Sequence, residues 1–160
     1  MSKVVTLIVA VVLGVAGMVA IKALMSGGAG GVAPTPAVFD RSPGLDAALE
    51  RSGSEGIPVF VVATADWCAP CQMLKRRALA SDRVQTFLAE NTIPVYLNDA
   101  QHREDIARLG VSAYPTSLII QNGEITDRLA GAVAAGDYLA FLEASIDPSG
   151  PATASVAADD

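Results

Sequence analysis

Both cysteines of this 160-residue chain lie in one short stretch, ADWCAPC, directly after its only tryptophan. Only two residues separate Cys68 from Cys71, and a disulfide across so short a loop restrains the unfolded chain very little. A purely structural bridge therefore does not explain the pair. The remaining uses of two thiols at this spacing are metal ligation, redox exchange and burial as inert side chains.

Metal ligation is disfavoured by the number of available ligands. A structural zinc site needs four protein ligands, whereas the chain has no third cysteine and a single histidine, His102. His102 lies in the polar segment QHRED and is expected to be solvated. The sequence therefore predicts no metal site and no other cofactor.

The residues around the cysteines predict a strand followed by a helix. PVFVVA, from Pro58 to Ala63, is a continuous apolar run typical of a strand buried on both faces. A helix is expected from Cys68 to Ala80. Because the positive end of a helix dipole favours a thiolate, Cys68 is expected to be an exposed nucleophile, and Cys71, one turn further on, a more buried resolving thiol.

Changes in hydrophobic periodicity predict four more helices and three more strands. Asn122-Gly123 separates two β-prone runs and predicts a tight type I′ hairpin. Alternating helices and strands that end in a hairpin predict an α/β fold, with a mixed central sheet and helices on both faces. The additional elements are helices at Leu45–Arg51, from Ser81 or Asp82, at Glu104–Leu109 and at Gly136–Ile146, and strands at Ile93–Asn98, at Ser117–Gln121 and from Glu124.

The chain begins with an apolar segment. Val4 to Ile21 is a run of 18 residues without a charge, and a helix of that length nearly crosses a hydrocarbon core of about 30 Å. This run is longer than the apolar region of a signal peptide, which is about 7–15 residues. We therefore expect a transmembrane signal anchor over residues 1–25, with cleavage within SGGAGGVA as the alternative.

Segments rich in small residues flank the predicted domain. Residues 26–44 are rich in Gly, Pro and Ala and are predicted to be a flexible linker. Residues 148–160 are predicted to be a disordered tail, which leaves 45–147 as one domain. The net charge of −6 argues against nucleic acid as a partner.

ADWCAPC with its flanking strand and helix, the later AYPT, and the NGEI turn together resemble the thioredoxin family over residues 45–147. The resemblance implies the thioredoxin fold and a thiol–disulfide oxidoreductase in which Cys68 attacks and Cys71 resolves. It also implies that Pro115 is a cis-proline facing the redox-active disulfide. The backbone of Tyr114 would then pair with a substrate strand.

The resemblance also assigns roles to neighbouring residues. Substrate contact is expected at Trp67, Tyr114, Pro115 and Thr116, and tuning of the cysteines at Asp66, Ala69 and Pro70. Ala69 and Pro70 supply no histidine to stabilise the attacking thiolate further, which favours a reductase over an oxidase. The side chain of Asp66 is expected to point to solvent.

Two positions depart from the family pattern. Thioredoxins usually carry a buried aspartate six residues before the first cysteine and a lysine on the next strand, where this chain has Val62 and Tyr96. The acid that assists the resolving cysteine is therefore missing or displaced. The basic run KRR, Lys75–Arg77, is expected to be the solvated face of the active-site helix, with a membrane surface or acidic partner as the alternative.

The anchor and the redox chemistry together predict a location. If the amino terminus stays in the cytoplasm, the domain faces the periplasm, where disulfides persist. We therefore expect single-pass attachment to the inner (cytoplasmic) membrane, protein substrates with disulfides or thiols, and a membrane electron donor. A thiol oxidase or isomerase of the same fold, and a non-catalytic membrane-anchored binding or chaperone module, are alternatives that turnover and reduction potential would distinguish.

Overall fold

The structure, a computed structural model, describes residues 31–146. Within that range the chain forms a short 3₁₀ turn, five α-helices and four β-strands. In chain order these are the 3₁₀ turn Ala37–Phe39, α1 (Leu45–Glu55), β1 (Val59–Thr64), α2 (Ala69–Arg76), α3 (Asp82–Asn91), β2 (Ile93–Asn98), α4 (Arg103–Arg108), β3 (Thr116–Gln121), β4 (Glu124–Ala130) and α5 (Ala135–Ser145).

Each predicted helix and strand is present, but the ends of α1 and α2 differ from expectation. α1 continues past Arg51 to Glu55 and stops at Gly56, whose φ of 71° suits a glycine C-cap. α2 ends at Arg76, short of the predicted Ala80, and turns follow it. The active-site helix is therefore short, and its two cysteines lie within its first turn.

The strands form one mixed sheet in the order β2-β1-β3-β4. β1 pairs in parallel with β2 and antiparallel with β3, and β3 pairs antiparallel with β4. The predicted hairpin is confirmed, because Asn122 and Gly123 both have positive φ, at 54° and 82°. All six residues of β1 are buried, as its uninterrupted apolar sequence predicted.

Helices cover both faces of this sheet, as expected. Phe60 and Val62 of β1 pack with residues of α2, α3 and α5. Val59 and Val61 point the other way and pack with residues of α1 and α4. Because successive side chains of a strand alternate between faces, β1 contributes to both cores and lies at the centre of the domain.

The segment before α1 belongs to the packed domain, contrary to the predicted linker boundary at residue 44. Phe39 is only 5% exposed, and its ring centroid lies 6.2 Å from that of Phe60 and 5.5 Å from that of Tyr96. Ser42 accepts a hydrogen bond from the backbone N–H of Tyr96 at 3.0 Å. Because the segment is rich in small residues, the sequence predicted a flexible linker there and missed that Phe39 packs in the core.

Three predicted features lie outside the described residues: the apolar run from Val4 to Ile21, the rest of the anchor over 1–25, and the tail 148–160. Between residues 31 and 146, none of the helices combines the length and apolar character needed to span a bilayer. The anchor is taken up below as part of the functional proposal.

We predict that Phe39→Ala will lower the free energy of unfolding by about 3–5 kcal/mol, the usual cost of removing a buried phenylalanine ring. Val32→Ala, in the same segment but at a side chain that is 61% exposed, should change it by less than about 0.5 kcal/mol. Urea denaturation of both variants measures the difference. Equal midpoints would mean that the segment does not contribute to the core.

Candidate active site

The Cys68 sulfur caps the N-terminus of α2. Cys68 is the N-cap residue with an extended backbone, and its Sγ accepts a hydrogen bond from the Cys71 N–H at 3.2 Å. Ala69 and Pro70 follow in the first turn, where a proline costs no helical hydrogen bond because that turn's N–H groups lack helical partners. The sulfur therefore lies at the positive end of the helix dipole.

Cys68 and Cys71 are joined by a disulfide, and their Cα atoms are 5.2 Å apart. Cys68 is 5% exposed and Cys71 is 0% exposed, so the prediction of an exposed Cys68 is wrong in degree. Both side chains pack with Ala65, and Tyr114 covers them. What remains of the expected asymmetry is that solvent reaches only the Cys68 side.

Trp67 and Tyr114 form an aromatic rim beside the disulfide. The Trp67 side chain is 74% exposed, and its ring meets that of Tyr114 edge-on, with centroids 5.8 Å apart. The Tyr114 hydroxyl donates to Asp99 Oδ1 at 2.9 Å. Burial, followed by this hydrogen bond, raises the pKa of Tyr114. Tyr114 is thus held by its hydroxyl, which binds Asp99, and by its ring, which packs against the cysteines. The Trp67 side chain is exposed to solvent.

The Tyr114–Pro115 peptide bond is cis, in agreement with the resemblance. The carbonyl of Pro115 accepts a hydrogen bond from the Gly131 N–H at 2.7 Å. Thr116 is 2% exposed, and its hydroxyl donates to the Ala113 carbonyl at 2.8 Å. The Thr116 side chain therefore holds this turn from inside the domain, and Tyr114 is the residue of the turn that packs against the cysteines.

Asp66 does not simply point to solvent. Its Oδ1 accepts a hydrogen bond from Asn98 Nδ2 at 3.0 Å, although half of the side chain is exposed. His102 is also held in place, because its Nδ1 accepts the backbone N–H of Asn98 at 3.1 Å. The end of β2 therefore supports the turn that precedes Cys68.

The prediction that the whole KRR run is solvated is wrong for its first residue. Lys75 is 4% exposed, and its Nζ lies 3.4 Å from the Tyr96 hydroxyl and 3.7 Å from Asp66 Oδ1. Arg76 and Arg77 are exposed. Helical spacing could have predicted the burial of Lys75, because a residue four positions after the inward-facing Cys71 lies on the same face of the helix.

Sequence reasoning missed Gln72, which is 8% exposed. Its Nε2 donates to the carbonyls of Ala65 and Asp66 at 3.3 and 3.1 Å. Its Oε1 accepts the N–H of Ala33 at 2.6 Å. Gln72 thus fixes the turn before the cysteines and attaches the N-terminal segment to it, a role that no local pattern in the sequence indicates.

Two thiols at a helix N-terminus, one of them nearer solvent and bordered by an exposed tryptophan, can exchange with a disulfide or dithiol of another molecule. Among residues 31–146 there is no group of three or more His, Cys, Asp or Glu side chains that could hold a metal ion. Thiol–disulfide exchange is therefore the chemistry that the described groups supply.

Comparison with known proteins gives consistent results. The family model described as thioredoxin-like matches residues 41–121. A thioredoxin of Pseudomonas aeruginosa is 29% identical over 89 residues, which cover 56% of this chain and 80% of that protein. A thioredoxin of Allochromatium vinosum is 30% identical over 88 residues, which cover 55% of this chain and 79% of the relative.

Solved structures share the same architecture. A solution structure of a thioredoxin from Thermus thermophilus has a TM-score of 0.56 at 22% identity, and the match covers 62% of this chain and 82% of that one. A structure of the DsbH oxidoreductase has a TM-score of 0.58 at 18% identity, covering 72% and 87%. At these identities the likeness establishes the thioredoxin fold.

Proposed function

Because the chain belongs to the thioredoxin-like family, we propose that it reduces disulfides of extracytoplasmic proteins, with Cys68 and Cys71 as a cycling dithiol. The single observation that carries this proposal is the Cys68 sulfur at the N-cap of α2, hydrogen-bonded to the Cys71 N–H. The same donor and the helix dipole stabilise a thiolate at that position. The thiolate is the form of cysteine that attacks a disulfide.

In the first step, the Cys68 thiolate attacks one sulfur of the substrate disulfide. A bond forms between Cys68 Sγ and that sulfur, and the substrate S–S bond breaks. The second substrate sulfur leaves as a thiolate and takes a proton from solvent. The product is a mixed disulfide between protein and substrate.

In the second step, the Cys71 thiol loses its proton and attacks Cys68 Sγ. The mixed disulfide breaks, the remaining substrate sulfur leaves as a thiolate that takes up a proton in place of the one Cys71 lost, and the Cys68–Cys71 disulfide forms. Two electrons have then passed from the dithiol to the substrate. The Cα atoms of Cys68 and Cys71 are 5.2 Å apart, within the range that a disulfide spans. The two residues can therefore form the disulfide without movement of the backbone.

The surface beside the cysteines fits an extended polypeptide substrate. Trp67, the residue before Cys68, is 74% exposed, and Met73 on the same helix as Cys71 is 42% exposed. Tyr114, which packs against the cysteines, is followed by the cis bond to Pro115, and the backbone of Tyr114 is where a substrate strand would pair. Aromatic and methionine side chains suit the recognition of varied apolar segments.

The residues between the cysteines favour electron flow from this protein to its substrate. Ala69 and Pro70 add no charge or hydrogen-bonding side chain that would strongly stabilise the reduced pair, so we assign the chain as a reductant. The apolar run from Val4 to Ile21 supports a membrane anchor, and an amino terminus that stays in the cytoplasm would carry the domain into the periplasm. A reductase in that oxidising compartment needs a membrane partner that returns electrons to it.

We predict a reduction potential nearer to the ~−270 mV of thioredoxin than to the ~−120 mV of DsbA, a gap of roughly 7 kcal/mol. Equilibration of the full-length protein with glutathione, read by mass spectrometry, measures it, and Cys68→Ser is the control without a pair. A value above about −150 mV would make the protein an oxidase. A disulfide that does not exchange would make it a non-catalytic module.

We predict that the full chain will sediment with membranes after an alkaline wash, whereas a variant without residues 1–25 will be released as a folded, redox-active domain. A thiol reagent that cannot cross the membrane should label the reduced cysteines of intact cells whose outer membrane has been opened. Release of the full chain by the alkaline wash would exclude the anchor. Labelling only after lysis would place the domain on the cytoplasmic side.

A further inference from the structure

The buried amino group of Lys75 is the least expected feature of the active-site helix. Its side chain is 2% exposed, yet its two contacts are long, at 3.4 Å to the Tyr96 hydroxyl and 3.7 Å to Asp66 Oδ1. Removing a cation from water costs free energy that only close pairing recovers. The position of Lys75 is therefore poorly explained by stability.

Lys75 lies on the same side of α2 as the resolving cysteine. It follows Cys71 by four residues, and residues at that spacing are neighbours on a helix surface. Cys71 and Lys75 are both buried. The carboxylate nearest the ammonium, on Asp66, belongs to the turn that leads into Cys68. The positive charge thus lies on the face of α2 that carries Cys71, within 3.7 Å of the carboxylate of the turn that leads into Cys68.

The sheet beneath α2 is polar at this end. Tyr96 and Asn98 of β2 point to the α2 side, as does Thr64 of β1, which pairs with Asn98 in the parallel ladder. The Thr64 hydroxyl is buried and has no hydrogen-bond partner among the described residues. Val62, the β1 residue before it on this face, is apolar. Lys75 and Asp66 are the charged side chains that contact Tyr96 and Asn98. A third charged group near the cysteines is Asp99, which accepts the hydrogen bond of the Tyr114 hydroxyl.

These two charges are not equivalent at the thiols. The Asp66 side chain is 51% exposed, whereas that of Lys75 is 2% exposed. Solvent and salt screen an exposed charge far more than a buried one, because the effective dielectric constant falls with burial. Of the two charges, that of Lys75 is therefore the less screened.

We propose that Lys75 is a positioning residue for the redox pair, whose buried positive charge favours the thiolate form of the reduced cysteines. This inference rests on the proposed function, because it concerns the energy of the reduced state of a pair that cycles. Lys75 does not replace the acid that is absent at Val62. Stabilising the thiolate stabilises the reduced state and makes the disulfide easier to reduce, which moderates the reductant character proposed above without reversing it.

The equilibrium that reports this effect is exchange with glutathione. One glutathione thiolate attacks a sulfur of the Cys68–Cys71 disulfide, forming a mixed disulfide and releasing the other cysteine as a thiolate. A second glutathione thiolate attacks the glutathione sulfur of that mixed disulfide, giving oxidised glutathione and the second cysteine thiolate. Two electrons pass from two glutathiones to the protein, and each cysteine thiolate can take a proton from solvent.

Lys75→Met, which keeps the length of the side chain and removes its charge, tests the proposal in the full-length protein. At a fixed glutathione ratio and pH 7, the ratio of reduced to oxidised protein should fall about tenfold, equivalent to about 30 mV. Arg77→Met removes an exposed charge from the C-cap of the same helix and should change the ratio less than twofold. Asp66→Asn should shift it in the opposite direction to Lys75→Met.

Two further readouts separate this role from a structural one. The midpoint of the pH profile for alkylation of reduced Cys68 should move to higher pH in Lys75→Met. Thermal unfolding of the oxidised variant should occur at or above the parent temperature, since replacing a buried charge with an apolar side chain is often neutral or stabilising. If Lys75→Met does not fold, Lys75→Gln provides the same comparison without the charge.

An unchanged glutathione equilibrium in a folded Lys75→Met or Lys75→Gln would overturn the inference, provided that the parent exchanges. Lys75→Arg, which retains the charge, should stay closer to the parent than either neutral variant, and equal effects of all three would also overturn it. A parent protein that fails to exchange with glutathione at all would instead refute the proposed function.

Discussion

The hydrogen bond from the Cys71 N–H to the Cys68 sulfur determines how the rest of the site is built. The N–H groups of the first turn of a helix need acceptors from outside the helix, and here a cysteine side chain supplies one. The same contact that lets α2 begin at Ala69 therefore places a sulfur at the positive end of the helix. Under the proposed function, the N–H that this sulfur caps is also the donor that stabilises the Cys68 thiolate of the reduced protein.

This sulfur can stay in place only because its turn is held from three directions. Gln72 binds the carbonyls of Ala65 and Asp66 from the helix side. Asn98 holds the Asp66 carboxylate from the end of β2. Tyr114 packs against the cysteines from the loop before β3. Because β1 lies at the centre of the sheet, between β2 and β3, the supporting residues arrive from both of its neighbours.

Local sequence was sufficient where local physics determines the structure. The apolar run of β1, the Asn122-Gly123 turn and the CAPC motif each predicted its own element, because periodicity, positive φ and helix initiation are properties of short segments. The thioredoxin family resemblance added the cis bond before Pro115. The expectations that failed concern Phe39, Lys75 and the exposure of Cys68. Their burial depends on which other segments pack against them, and a short stretch of sequence does not contain that information.

The account depends most on Cys68 being the attacking thiol and Cys71 the resolving one. Incubation of the reduced Cys71→Ser and Cys68→Ser variants with a peptide that contains one disulfide tests this by intact-mass spectrometry. Cys71→Ser should accumulate a stable peptide adduct, because attack by Cys68 proceeds and resolution cannot, whereas Cys68→Ser should form little. An adduct that accumulates on Cys68→Ser and not on Cys71→Ser would contradict the assignment of the two cysteines.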